Sequence, residues 1–144
     1  MYVDPSAVAA KLGGTATLGE TVSSLADLRR AVERGLPIES LDHVSEALAN
    51  GELRVLEIKY GVVPRTTLRR RTRLSPEEGA RTERLARLAA IAEYVWEDAE
   101  LAREFLTHAQ PQLGGERPID LAHTDLGARE VETLLMKIEH ALPV

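Results

Sequence analysis

Ser75-Pro-Glu-Glu-Gly-Ala-Arg-Thr-Glu-Arg-Leu-Ala-Arg-Leu-Ala-Ala-Ile-Ala-Glu-Tyr-Val-Trp96 is the stretch from which the fold class follows. Ser75 offers a side-chain oxygen at an N-cap, and Pro76 fills the first helical position, where no N–H is needed. Glu78 completes a capping box and favours the positive end of the helix. From there Leu85, Leu88, Ala92, Val95 and Trp96 recur at helical spacing on one stripe. That stripe is a core face which other elements must cover, and Tyr94 and Trp96 are predicted to pack rather than to touch a ligand. The chain as a whole is rich in Ala, Leu, Glu and Arg and only 3% aromatic, a composition that favours helices and gives a sheet little to pack with. The predicted fold class is all-α.

Working towards the C-terminus, Asp98 is placed to cap a helix that buries Leu101, Phe105 and Leu106, making a helical hairpin with the long helix. The segment Gln110 to Pro118 is predicted as a loop whose paired glycines, Gly114 and Gly115, allow backbone angles closed to other residues. Thr124 caps a last helix with Val131, Leu134, Leu135 and Ile138 inside and Glu130, Glu132, Lys137 and Glu139 outside. The sequence ends Ala-Leu-Pro-Val144, an apolar tail that is either frayed or inserted into something.

Working towards the N-terminus, residues 1–24 show no sustained period and are predicted as an irregular arm, with a turn of helix around Ser6 to Leu12. Ser24 and Asp27 mark a helix start, with Leu28 and Val32 following Leu25 on one face and Gly35 closing it. Pro37 and Ser40 restart the chain for a helix carrying Leu41, Val44, Ala47 and Leu48, stopped by Asn50-Gly51. Leu53, Leu56 and Tyr60 give another that ends at Gly61. Val62, Val63 and Pro64 follow, and then Arg65-Thr-Thr-Leu-Arg-Arg-Arg-Thr-Arg73. Helix, glycine turn, buried valine and polar helix is the layout of a helix-turn-helix. If 64–73 is helical, Arg65, Thr66, Arg69, Arg70 and Arg73 share one broad face and Leu68 is the sole strong anchor on the other. Arginine there can bind guanine edges or phosphate, and Thr66 and Thr67 suit phosphate or a thymine methyl. The plainer alternative is a solvated basic helix that balances acidic neighbours. Two features depart from a plain motif: Leu68 comes seven residues after Gly61, and Glu57 stands where a small residue is usual.

Charge is segregated around that stretch. Residues 1–50 carry −3, 51–74 carry +5 and 75–144 carry −7, within a net −5. The pattern suits an anionic partner for the middle and a cationic one for the C-terminal segment. With 144 residues, 44% hydrophobic, the chain fits one domain or two small ones. The absence of cysteine excludes disulfides, thiolate metal sites and a cysteine nucleophile, in keeping with a reducing cytoplasm. No apolar run approaches the ~20 residues of a membrane helix, and there is no signal-like N-terminus. His43, His108, His123 and His140 form no metal-binding or catalytic constellation, so neither an enzyme nor a metal or cofactor site is predicted. Capping explains Asp125, next but one to His123, as well as chemistry would.

A resemblance gives these pieces a common identity. Leu74-Ser-Pro-Glu-Glu78, Arg84-Leu-Ala-Arg87, Ala92 to Val95, Ala102, Phe105-Leu106, Leu113-Gly-Gly115, Pro118, Thr124, Gly127-Ala-Arg-Glu-Val131, Leu134-Leu135 and Ile138-Glu-His140 follow one another without large gaps. Together they resemble the C-terminal toxin-binding domain of Xre/MbcA/ParS antitoxins. Val62-Val-Pro-Arg-Thr-Thr-Leu68 is similar to the Xre-like recognition segment that precedes this domain, where the longer turn is usual. Thr66 departs from the family by replacing a common arginine, Gly79-Ala80 a Ser-Asp pair, Phe105 a tryptophan, and Ala141 a glycine, which would let the last helix run further.

Beyond the arm already read at 1–24, the resemblance implies an Xre-like helix-turn-helix domain for DNA binding and dimerisation at 25–73 and a helical toxin-binding domain at 74–144. It implies the antitoxin of a type II pair, partnered with a RES-domain toxin that destroys NAD, acting as a homodimer on operator DNA and performing no catalysis. The DNA-contacting set is then Arg65, Thr66, Thr67, Arg69, Arg70 and Arg73. The toxin-contacting set is Gly114, Gly115, Arg117, Glu132, Glu139, His140, Leu142 and Val144. Glu132, Glu139 and the terminal carboxylate would form an acidic plug for a cationic NAD pocket. The competing expectation is a stand-alone transcription regulator whose C-terminal domain only dimerises.

Overall fold

The long helix organises the molecule. In the computed structural model, which describes residues 3–141, it is α7, Pro76–Trp96, preceded by α1 (Pro5–Lys11), α2 (Gly14–Leu18), α3 (Leu25–Arg34), α4 (Ile38–Leu48), α5 (Glu52–Val62) and α6 (Arg65–Leu68). It is followed by α8 (Ala99–Thr107), a single 3₁₀ turn (Pro111–Leu113), α9 (Pro118–Leu121) and α10 (Asp125–Ala141). Among the described residues there is no sheet, only two isolated bridges, Pro37 with Arg73 and Gln110 with Glu116. The all-α class is therefore correct.

The predicted start of α7 is present in full: the Ser75 hydroxyl accepts from the Glu78 N–H at 3.2 Å, and the Glu78 carboxylate accepts from the Ser75 N–H at 2.8 Å. Ala86, Leu88, Ile91 and Ala92 are wholly buried, because α7 is covered on several sides. From the N-terminal half it receives α1, α3, α4 and α5, and from the C-terminal half α8 and α10. The boundary at 73/74 thus marks the approach to α7 but does not separate one core from another: a single apolar cluster runs from Val8 to Leu135.

The predicted caps also form. Ser24 accepts from Asp27, Asp98 from Leu101 and Thr124 from Gly127, each donor being a backbone N–H. Gly35 ends α3 with φ +99°, and a Cβ there would lie 3.1 Å from the Leu74 carbonyl oxygen, so this close approach needs glycine.

Several expectations need correction. The turn of helix expected around Ser6 to Leu12 is present as α1, but within residues 3–24 it is no part of an irregular arm: Asp4 caps α1, whose Val8 is buried together with Leu12 just beyond it, and Lys11 pairs with Glu93 of α7. On α5 the inner residues are Val55, Ile58 and Val62, and Leu53 is 86% exposed. Both faces of that helix carry apolar side chains, and packing rather than periodicity chose between them. Leu25 and Leu101 are likewise outside, while Leu28 and Ala31, and Ala102, Phe105 and Leu106, point in. Tyr94 is 67% exposed and does not pack as predicted, whereas Trp96 packs against Phe105 with the rings tilted by 43° and their centroids 5.9 Å apart.

Candidate functional site

Two surfaces carry the residues singled out in the sequence. The first is the basic segment. The predicted ten-residue helix is absent: α6 is a single turn, Arg65–Leu68, and Arg69 and Arg70 lie in the turn that follows. The cause is the return of the chain to the core. Leu74 is buried, its N–H donates to the Leu36 carbonyl at 2.8 Å, and the Ile38 N–H donates to the Thr72 carbonyl at 3.1 Å. A helix continuing to residue 73 would carry these groups away from their partners. The Arg73 guanidinium is consequently not on the face of α6 but donates to the Gly35 carbonyl at 2.8 Å. Arg71 pairs with the capping Glu78 at 2.6 Å, and that bond, with the Ser75 amide, holds the Glu78 carboxyl below the usual range. Arg65, Thr66, Arg69 and Arg70 remain exposed and close in sequence, and among the described residues these three arginines have no acidic partner; Thr67 is half-buried.

The second surface belongs to α10 and the loop before α9. Gln110 and Glu116 close that loop backbone to backbone at 3.1 Å, and Gly114 and Gly115 form its exposed tip with φ +68° and +80°. The 3₁₀ turn at its base packs on α10. Arg117 is not offered to a partner. Its guanidinium takes both oxygens of Asp120, at 2.8 and 3.1 Å, and reaches Glu57 of α5 at 2.9 Å. These bonds push its pKa above the ordinary value, so the charge is fixed in an internal tie between the two halves of the chain.

Glu132 is half-buried and turned towards α7. Its carboxylate lies 3.7 Å from Arg87, whose guanidinium is 3.8 Å from Glu83. Burial pushes the Glu83 carboxyl up, with Arg87 opposing the shift and Glu132 adding to it. Because folding raises this pKa, the neutral form's contribution is complete below the unfolded value and is lost as pH rises through the folded one. Glu83→Gln should therefore raise the melting temperature at pH 7, with the gain fading towards pH 4, as a pH series of melts would read.

Helical geometry sorts the rest of α10. Ala128, Val131 and Leu135 are wholly buried on one side. Glu139 is only partly exposed, 4.0 Å from His140. Opposite them, Leu126, Glu130, Thr133, Lys137 and His140 fall at three- and four-residue spacing on one exposed stripe about 21 Å long. His140 is thus the one predicted residue of α10 that faces fully outward, and Leu142 and Val144 lie outside the described residues. The most prominent member of the stripe, Leu126 at 70% exposure, was missed. The signal for it in the sequence is that it falls, as a large apolar residue, on the same side of α10 as Glu130 and Lys137. Beside it, Leu113 and Leu134 join Arg129, Thr133, Lys137 and Gln112 in an open groove of about 600 Å³.

Among the described residues, no three His, Asp or Glu side chains converge as metal ligands would, and no helix is long and apolar enough to cross a membrane.

Compared with known protein families, residues 92–141 match the antitoxin Xre/MbcA/ParS C-terminal toxin-binding domain. The match begins within α7 and takes in α8, the glycine loop, α9 and all of α10. No curated protein matches the chain. Residues 92–141, about a third of the chain, are thus similar to the toxin-binding domain of Xre/MbcA/ParS-type antitoxins, a likeness that supports a toxin partner and a regulatory role.

Proposed function

We propose that this chain, carrying an antitoxin's toxin-binding domain at residues 92–141, neutralises a RES-domain toxin that degrades NAD. It does so by laying the C-terminal helix and tail over the toxin's active-site cleft. The observation that carries the proposal is the coincidence of the matched domain with the exposed stripe of α10, which ends at His140 beside the tail. Two of the expected toxin contacts are engaged within the chain. Glu132 is engaged with Arg87 and Arg117 with Asp120 and Glu57, so neither is available without breaking an internal pair. His140, Glu139 and the tail residues Leu142 and Val144, which lie outside the described residues, are left as the contacts at this end, and the Gly114-Gly115 tip stands apart from them beside the 3₁₀ turn.

Co-expression tests this reading. The product of the neighbouring gene should arrest growth and deplete NAD when expressed alone, and this chain should restore both. Failure to restore either would leave a stand-alone regulator as the better account.

The same chain represses its own operon, we infer, by binding operator DNA as a homodimer through Arg65, Thr66, Arg69 and Arg70. Support comes from the unpaired, exposed cations on α6 and the turn after it, within the one basic block of an acidic chain. Such side chains release counterions on meeting phosphates. Arg69→Ala and Arg70→Ala should each weaken operator binding and lower the slope of log K against log salt by about one. Arg73→Ala should do less to the slope, because its guanidinium is occupied at Gly35. Equal salt slopes in all three variants and the parent would place the DNA surface elsewhere.

A further inference from the structure

We propose that the toxin is anchored at the opposite end of α10 from the tail, in the groove between that helix and the 3₁₀ turn, with Leu126 as the central contact. This rests on the toxin-binding reading above and goes beyond it by naming a surface. The groove falls wholly within residues 112–137, inside the segment that matches a toxin-binding domain. A more apolar groove of about 350 Å³ lies between α1, α3 and α7, but its lining runs from Val3 to Arg87 and lies entirely outside that segment.

The groove's chemistry states what it accepts. Leu126, Leu113 and Leu134 offer an apolar seat, which suits an inserted aliphatic or aromatic side chain. Glu130 and Lys137 stand on its rim seven residues, or about 10 Å, apart and have no ion-pair partner among the described residues. The toxin surface must therefore present a cation opposite Glu130 and an anion opposite Lys137, on either side of the apolar side chain. The stripe continues from there to His140, so one rigid helix face joins this anchor to the tail at the cleft. An apolar anchor in a charged rim provides the binding energy, which leaves the tail free to be selected for blocking the cleft.

The experiment measures affinity between the full-length chain and a catalytically inactive form of the neighbouring gene's product, by surface-immobilised titration. Leu126→Asp should raise Kd about tenfold or more, because it puts a carboxylate into the apolar seat. Lys137→Glu should weaken binding several-fold, and Leu53→Asp, on α5, should bind as the parent does. Both positions on α10 are solvent-exposed, so unchanged melting temperatures are expected and serve as the folding control. If the parent chain binds and both α10 variants bind within threefold of it, the groove is not the anchor and the antitoxin reading stands. If the parent chain does not bind, the antitoxin reading fails and the groove proposal falls with it.

Discussion

Gly127→Ala should destabilise the protein by about 3 kcal/mol, the reverse of what an alanine does in an ordinary helix. In a solvated helix the change would gain about 1 kcal/mol from backbone entropy. Gly127 is at the first turn of α10, where its N–H donates to Thr124 Oγ1 at 3.0 Å, and it is buried against the end of α9. A Cβ built there would lie 2.0 Å from the Leu121 carbonyl oxygen and 2.8 Å from its carbon. Both atoms are backbone, so no side-chain rotation relieves the overlap. The α9–α10 corner would have to open, and Arg84, which donates to the Ala122 and His123 carbonyls at 2.9 and 3.0 Å, would lose its seat. Urea denaturation reads the effect, and a variant as stable as the parent would show that this corner has slack that the structure does not show.

The second large effect concerns α7. Leu88→Ala, at a wholly buried position, should cost about 3 kcal/mol and lower the melting temperature by about 6–12 °C. The form of the transition matters as much as its midpoint. Because α7 is shared by α1, α3, α4 and α5 on one side of the sequence and α8 and α10 on the other, the whole chain should melt in one step, before and after the substitution. Two resolved calorimetric transitions would instead restore the division into separate domains at 73/74. The tie from Arg117 to Glu57 and the bond from Arg81 to the Gly61 carbonyl at 2.7 Å add polar links between the halves.

The sequence made α7, its capping box and the caps at Ser24, Asp98 and Thr124 legible, because each depends on residues three or four apart. What escaped depends on partners far along the chain. Nothing local says that Val8 and Leu12 will find α7, or that Val55 and Ile58 rather than Leu53 will face inward. The one-turn α6 follows from a competition between a basic helix held by Leu68 and the pull of Leu74 towards Leu36, and only the fold decides it. The candidate site divides the same way. The matched domain was readable from the order of its short motifs, and His140, near the end of α10, does face outward. The ion pairs of Glu132 with Arg87 and of Arg117 with Glu57 were not legible, because Arg87 and Glu57 come from helices far along the chain. Leu126 stands out only once the fold shows that, among the described residues, nothing covers the polar side of α10 at that position.

We propose that this chain holds a toxin through residues 92–141. Calorimetric titration of the inactive neighbouring gene product into the full-length chain tests it most directly. A saturable complex with Kd near or below about 10⁻⁷ M is expected, as for standard-sized specific interfaces. An absence of binding heat at several temperatures, with the two proteins eluting apart on gel filtration, would contradict it.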